Sequence, residues 1–221
     1  MPARLIFYFG LRSPYAWLAQ RLLSRHLGAD AVSQIDWVPY WEPRADTLSA
    51  LRSQGGDILY RSMSRERHLY ILGDLKRTAS RLGCTLRWPV DGPNPQWEPA
   101  HRACLAARPA QAATLRTVLF AARWEHGLDI TDPSVIKGLC RGLGLTEVTE
   151  ALDSPATDAA ALSALSQAHR HGVFGLPFFV LGRERWWGVD RLPFALQAAG
   201  LPWRALAADW AGLPQHEGVC S

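Results

Sequence analysis

The most constraining stretch of the chain is Leu5-Ile6-Phe7-Tyr8-Phe9, which runs through Gly10 into Ser13-Pro14-Tyr15-Ala16-Trp17-Leu18. The first five residues are apolar, with β-branched and aromatic content, and predict a buried strand. Gly10 breaks the run. Ser13 is a good N-cap, and Pro14 suits the first helical position, where no N–H is required. Tyr15, Trp17, Leu18, Leu22 and Leu23 then recur at helical spacing as far as His26, with Gly28 as a stop. A strand feeding straight into a helix predicts an α/β layering. It also leaves backbone N–H groups around Ser13, a setting suited to an anion. Taken alone, the stretch favours the plainer role of Ser13 as a helix cap.

Composition narrows the class. The chain has 221 residues, 48% hydrophobic and 20% charged, enough for one large domain or a small one carrying an insertion. Its net charge of +4 comes mainly from arginines that are scattered rather than gathered in a run. With no aromatic-and-basic module, the expectation is no nucleic-acid partner. No window approaches the ~20 apolar residues of a membrane span, and the start of the chain lacks a signal-peptide pattern. Cys84, Cys104, Cys140 and Cys220 are widely separated, with no Cys-x-x-Cys. They read as reduced, which fits a cytoplasmic protein. His169 and His171 lack a Cys or carboxylate at ligand spacing, so no metal is expected.

Along the chain, Ile35 to Tyr40 alternates and predicts a second strand. Residues 44–57 predict a mobile loop with a helical turn. Leu69, Leu72, Leu75, Ala79 and Leu82 predict a helix ending at Gly83, and Trp88 to Pro95 is turn-rich. Helices are expected over 100–107, 112–126, from Asp132-Pro133 to Gly142, over 146–152 and over 155–171. Phe178 to Leu181, a Gly182-Arg183 turn and Arg185 to Trp187 predict a hairpin, followed by a helix from about Asp190 to Gly200. The pattern is strand, helix, strand, a long helical stretch, a hairpin and a helix. It predicts an α/β fold, a thioredoxin-like domain (1–43 and 172–205) interrupted by an all-helical insertion (44–171), with a tail over 206–221.

Three constellations carry the chemistry. Thioredoxin-like proteins place a Cys-Pro-x-Cys pair at such a strand-to-helix junction. Here the frame is Ser13-Pro14-Tyr15-Ala16, so both sulfurs are missing. A helix terminus that lowers the pKa of a protein thiol can equally stabilise a bound thiolate, with Ser13 donating a hydrogen bond to it. Second, Phe174-Gly175-Leu176-Pro177 leads into the Phe178 strand. A proline directly before a central strand suits either a cis Leu176–Pro177 bond or a trans proline at the strand start. Third, in Gly188-Val189-Asp190-Arg191, Asp190 is a candidate N-cap whose carboxylate can also hold an ammonium group, while Arg191 can take a carboxylate.

These motifs, in this order, resemble the 2-hydroxychromene-2-carboxylate isomerase and kappa-class glutathione transferase family, of DsbA-like type. The spacing Arg67…Tyr70…Asp74…Arg77…Gly83 and the Glu125-His126-Gly127-Leu128-Asp129-Ile130 turn add to the likeness, which covers about residues 4–198. The resemblance implies a cis-proline at Pro177 and glutathione bound by Ser13, Pro14, Tyr15, Arg67, Leu176, Pro177, Val189, Asp190 and Arg191. It makes Ser13 the catalytic contact to the sulfur. It further implies an isomerase of a small aromatic acid working by transient thiolate addition, and a homodimer would be in keeping. A kappa-like transferase or peroxidase, or a non-catalytic thiol-binding protein, would use the same frame. The chain departs from the family at Gly10, where an aspartate is common, and at Val189, where Asn or Ser is common. The family's Asn-Pro-Pro loop is not recognisable around residues 53–58. Trp17, Trp37, Trp41, Trp88, Trp97, Trp186 and Trp187 are candidates for an aromatic wall, though most such rings belong in a core.

Overall fold

The computed structural model describes residues 3–88 and 91–211, with side chains as far as 209. Its centre is a four-stranded sheet in the order β2-β1-β3-β4. These strands are β1 (Leu5–Phe9), β2 (Ile35–Pro39), β3 (Phe178–Leu181) and β4 (Glu184–Trp187). β1 pairs parallel with β2 and antiparallel with β3, and β3 pairs antiparallel with β4. The register sets the two faces. Phe7 lies opposite Trp37 and Phe179 and stacks with both, while Tyr8 lies opposite Val38 and Phe178. β1 and β3, the two inner strands, are almost wholly buried, as their uninterrupted apolar runs require.

α1 (Pro14–His26) follows β1 with Ser13 as its N-cap, in extended backbone. The helix stops at Leu27, and Gly28 instead caps the short α2 (Ala29–Ser33), so the stop comes one residue before the predicted glycine. Residues 44–57 are not the expected loop, because α3 (Ala45–Ser53) occupies most of them. Its start is held from outside: Glu98 accepts hydrogen bonds from the Arg44 N–H at 2.7 Å and the Thr47 hydroxyl at 2.8 Å. A cap supplied from 51 residues away leaves no local sequence signal. In α4 (Arg65–Arg81) the leucine stripe is half used: Leu75 and Ala79 are buried, but Leu69 is 54% exposed.

The helical stretch continues with α5 (Glu98–Ala106), α6 (Pro109–Trp124), α7 (Pro133–Gly142), α8 (Thr146–Glu150) and α9 (Pro155–Arg170). After β4 the chain makes a 3-10 turn over Val189–Arg191 and then α10 (Leu192–Ala198). Asp190 therefore sits inside the turn and is not the N-cap of α10, a position Arg191 takes without a side-chain bond. α11 (Arg204–Ala211) runs through residue 205, so the expected tail begins inside a helix that packs on α1, with Asp209 accepting from His26 at 2.7 Å. The rest of that tail, with Cys220, lies outside the described residues. One buried cluster, including Phe9, Trp17, Leu115, Phe120 and Ile136, joins the sheet to the helical stretch.

Candidate functional site

Because β1 and β3 are antiparallel neighbours, the end of β1 and the start of β3 meet at one edge of the sheet. The turn from Gly10 to Ser13 and the Leu176-Pro177 dipeptide are therefore adjacent. The Ser13 hydroxyl donates to the Leu176 carbonyl at 3.3 Å and accepts from the Ala16 N–H at 3.2 Å. The Leu176–Pro177 bond is cis. Pro14 brings no donor, and the Trp17 N–H goes to the Ser13 carbonyl. Of the first-turn N–H groups, that of Tyr15 has no acceptor among the described residues. No acidic side chain of α1 lies in this first turn to offset the positive end of its dipole.

Gly10 is required by its neighbours. A β-carbon there would lie 2.5 Å from Leu176 Cδ1 and 2.8 Å from the Tyr40 carbonyl oxygen. The side chain of Leu176 thus fills the space that an aspartate at position 10 would need, which accounts for that departure from the family pattern. The turn is held from the far side by His101, a residue on α5 that sequence reasoning passed over. Its Nε2 accepts from the Leu11 N–H at 2.9 Å, and its Nδ1–H donates to the Trp97 carbonyl at 2.7 Å. Both bonds require the neutral ring, and complete burial pushes the pKa down to about 4. The ring stacks on Trp41 at 5.4 Å. The Trp124 indole donates to the Leu11 carbonyl at 3.0 Å, so both backbone groups of Leu11 are fixed. The only sequence signal for His101 was a polar residue within the apolar Ala100, Ala103, Cys104 stripe.

Tyr15 leans toward α4. Its hydroxyl donates to Asp74 at 2.5 Å, and burial, together with that carboxylate, pushes its pKa up. Arg67 lies seven positions before Asp74, two helical turns away on the same face, and its side chain is exposed. On the other flank, the Gly188 N–H donates to the Pro177 carbonyl at 3.0 Å. Gly188 has φ +106°, and the Asp190 carboxylate folds back into the space its β-carbon would occupy. The Arg191 guanidinium lies 3.5 Å from Asp190, and both side chains are about half exposed. Val189 is 4% exposed, so its side chain is buried. The structure thus gathers Ser13, Pro14, Tyr15, Leu176, Pro177 and the 189–191 turn at one end of α1, with Arg67 on the helix that Tyr15 touches.

A cavity of about 340 Å³ opens beside the strand that follows Pro177. Phe174, Phe178 and Trp187 give it ring faces, and Arg170 and Arg185 give it positive charge. Tyr8 sits behind it, its hydroxyl hydrogen-bonded with Nδ1 of His171 at 2.7 Å. Of the seven candidate tryptophans, Trp17, Trp41 and Trp97 are buried, Trp37 and Trp186 are partly buried against the core, and Trp88 and Trp187 are exposed.

Comparison with known proteins places this geometry. Residues 4–200 match the DSBA-like thioredoxin domain family. A protein named 2-hydroxychromene-2-carboxylate isomerase from Sphingobium xenophagum is 29% identical over 193 residues, covering 85% of this chain and 93% of that protein. One of the same name from Pseudomonas putida is 28% identical over 196 residues, covering 87% and 92%. A solved 2-hydroxychromene-2-carboxylate isomerase superposes with a TM-score of 0.68 at 26% identity, covering 94% of this chain and 97% of that one. The cytosolic disulfide reductase DsbM from Pseudomonas aeruginosa, solved with GSH, shares the fold at a TM-score of 0.56 and 19% identity, covering 95% and 99%.

Proposed function

We propose that this chain, which belongs to the DSBA-like thioredoxin domain family, is a glutathione-dependent isomerase of the 2-hydroxychromene-2-carboxylate type. The observation that carries the reading is the 3.3 Å contact of Ser13 with Leu176. It joins a helix N-terminus to the cis-proline dipeptide at a place where the chain has no cysteine of its own. Glutathione would supply there the thiol that adds transiently to an electron-poor carbon of the substrate.

The residues present suit that tripeptide. The Ser13 hydroxyl can swing from the Leu176 carbonyl to a thiolate, and the Tyr15 N–H gives a second donor. Leu176, released from Ser13, offers its carbonyl to a peptide N–H. Asp190 suits the α-ammonium of the γ-glutamyl end, Arg191 and the backbone of Val189 its carboxylate, and Arg67 the glycine carboxylate. An arginine can take a carboxylate bidentately, which a lysine cannot. The chain's contribution to rate is to lower the thiol pKa and to orient the acid. The aromatic and cationic walls beside Phe178 suit a ring that carries a carboxylate.

The test is calorimetric titration with glutathione, followed by incubation with a hydroxychromene carboxylate. Micromolar-to-millimolar binding and accumulation of the trans-alkene isomer, only when glutathione is present, are expected. Turnover without glutathione overturns its role, and accumulation of a conjugate makes the chain a transferase instead.

A further inference from the structure

We propose that a second cavity, between α1, α2, β2 and α6, binds a small carboxylic acid with an apolar body, whose carboxylate pairs with the Arg116 guanidinium. Among the described residues, three arginines are buried in the fold. Arg102, Arg123 and Arg116 are 2%, 3% and 6% exposed. Arg102 pairs with Glu98 at 3.3 Å and with Asp158. Arg123 is held by both oxygens of Asp91, at 2.6 and 3.1 Å. Arg116 has no carboxylate among the described residues. Its guanidinium stacks on the Trp37 ring at 3.7 Å and lies 5.6 Å from that of Phe9. Its Nε is buried without an acceptor among the described residues, and so is the indole N–H of Trp37. Arg123 shares an unbonded Nε, but its charge is neutralised. Removing an ion from water is costly unless a partner repays it, and ring stacking repays only part.

Arg116 and Trp37 both line a cavity of about 410 Å³. Two of the other polar groups there are engaged: Gln20 Nε2 donates to Ser24 and Thr117 at 3.0 Å, and the Thr117 hydroxyl donates to the Ala113 carbonyl. One guanidinium in need of one acceptor matches a monoanion. Leu27, Val32 and Val118 line the remainder and match an apolar body. Gln20 lies seven residues along α1 from Ser13, about 10 Å, so this site is separate from the glutathione reading and stands without it.

The test is calorimetry on the full chain with 3-phenylpropanoate and its neutral counterpart 3-phenylpropan-1-ol. The acid is expected to bind one-to-one and the alcohol at least tenfold more weakly. Arg116→Gln should weaken the acid at least tenfold, and Ser13→Ala should leave it unchanged. In case Arg116→Gln does not fold, the Arg116 Nε–Hε cross peak of the wild-type chain, assigned by its loss in Arg116→Lys, should shift during the titration. Equal binding of acid and alcohol overturns the proposal, as does an unmoved cross peak. A loss in Ser13→Ala would place the acid at the start of α1, and tighter binding of inorganic phosphate would rule out the ligand class; each likewise overturns it.

Discussion

The two flanks of α1 solve opposite electrostatic problems. At its N-terminal end the turn from Gly10 to Ser13 is saturated by the protein: His101 holds the Leu11 N–H, Trp124 holds its carbonyl, and Ser13 and Leu176 hold each other. Next to His101 on α5, Arg102 is likewise fully paired. Further along α1, Arg116 lies buried beside Gln20 and Ser24 with its charge unmatched among the described residues. Each flank owes its rigidity to a different source. The first is a preorganised scaffold whose polar groups are held by fixed neighbours. The second keeps an electrostatic debt that only something else can settle.

The sharpest way to break the comparison is to unpair the first flank. Arg102→Met should destabilise by about 3–5 kcal/mol in urea unfolding, because it leaves Glu98 buried with its main counter-charge gone. A cost under about 1 kcal/mol would put the two flanks on equal terms. Next in size is acid. With the His101 pKa pushed down to about 4 in the fold and near 6.5 when unfolded, the unfolded chain binds the extra proton between those values. Stability from this group is therefore full above about pH 6.5 and falls as pH drops toward 4, by on the order of 3 kcal/mol. His101→Gln, which can still accept from Leu11 but does not titrate there, should flatten that part of the pH profile.

Ser13→Ala probes the hydroxyl that bonds Leu176. It should raise the pKa of bound glutathione thiol and lower turnover tenfold to a hundredfold, since a hydrogen bond to a charged acceptor is worth about 1.5–3 kcal/mol. Its effect on unfolding should be only the loss of an N-cap, about 1 kcal/mol. An unchanged thiol titration would refute the role assigned to the hydroxyl. The smallest expected effect is on the other flank: Arg116→Met should shift stability by no more than about 1 kcal/mol, in either direction, because it removes an unpaired charge and keeps the volume. A loss near that of Arg102→Met would mean that Arg116 is as well served as its neighbour.

What could be read before folding was whatever depends on near neighbours. The Leu5–Phe9 run, the Ser13-Pro14 cap and the Phe178 hairpin each announce themselves within a few residues, and all three stand where expected. Misreadings occurred where the partner was remote. α3 begins on a carboxylate from α5, and Asp190 is drawn into a 3-10 turn by the path after Gly188. Leu69 keeps helical spacing yet stays exposed, because periodicity says which residues share a face and not what covers it.

The amino-acid order by itself determined that a strand runs into a serine-capped helix, that no sulfur sits at that cap and that a proline enters the third strand. These follow from backbone preferences and side-chain chemistry, which act over one or two turns. Only the tertiary structure decided that Leu176 would fill the room beside Gly10, that His101 would be buried neutral to hold Leu11, and that Arg116 would be buried with no carboxylate beside it among the described residues. Burial and charge pairing are set by which distant segments meet, and no local pattern encodes that meeting.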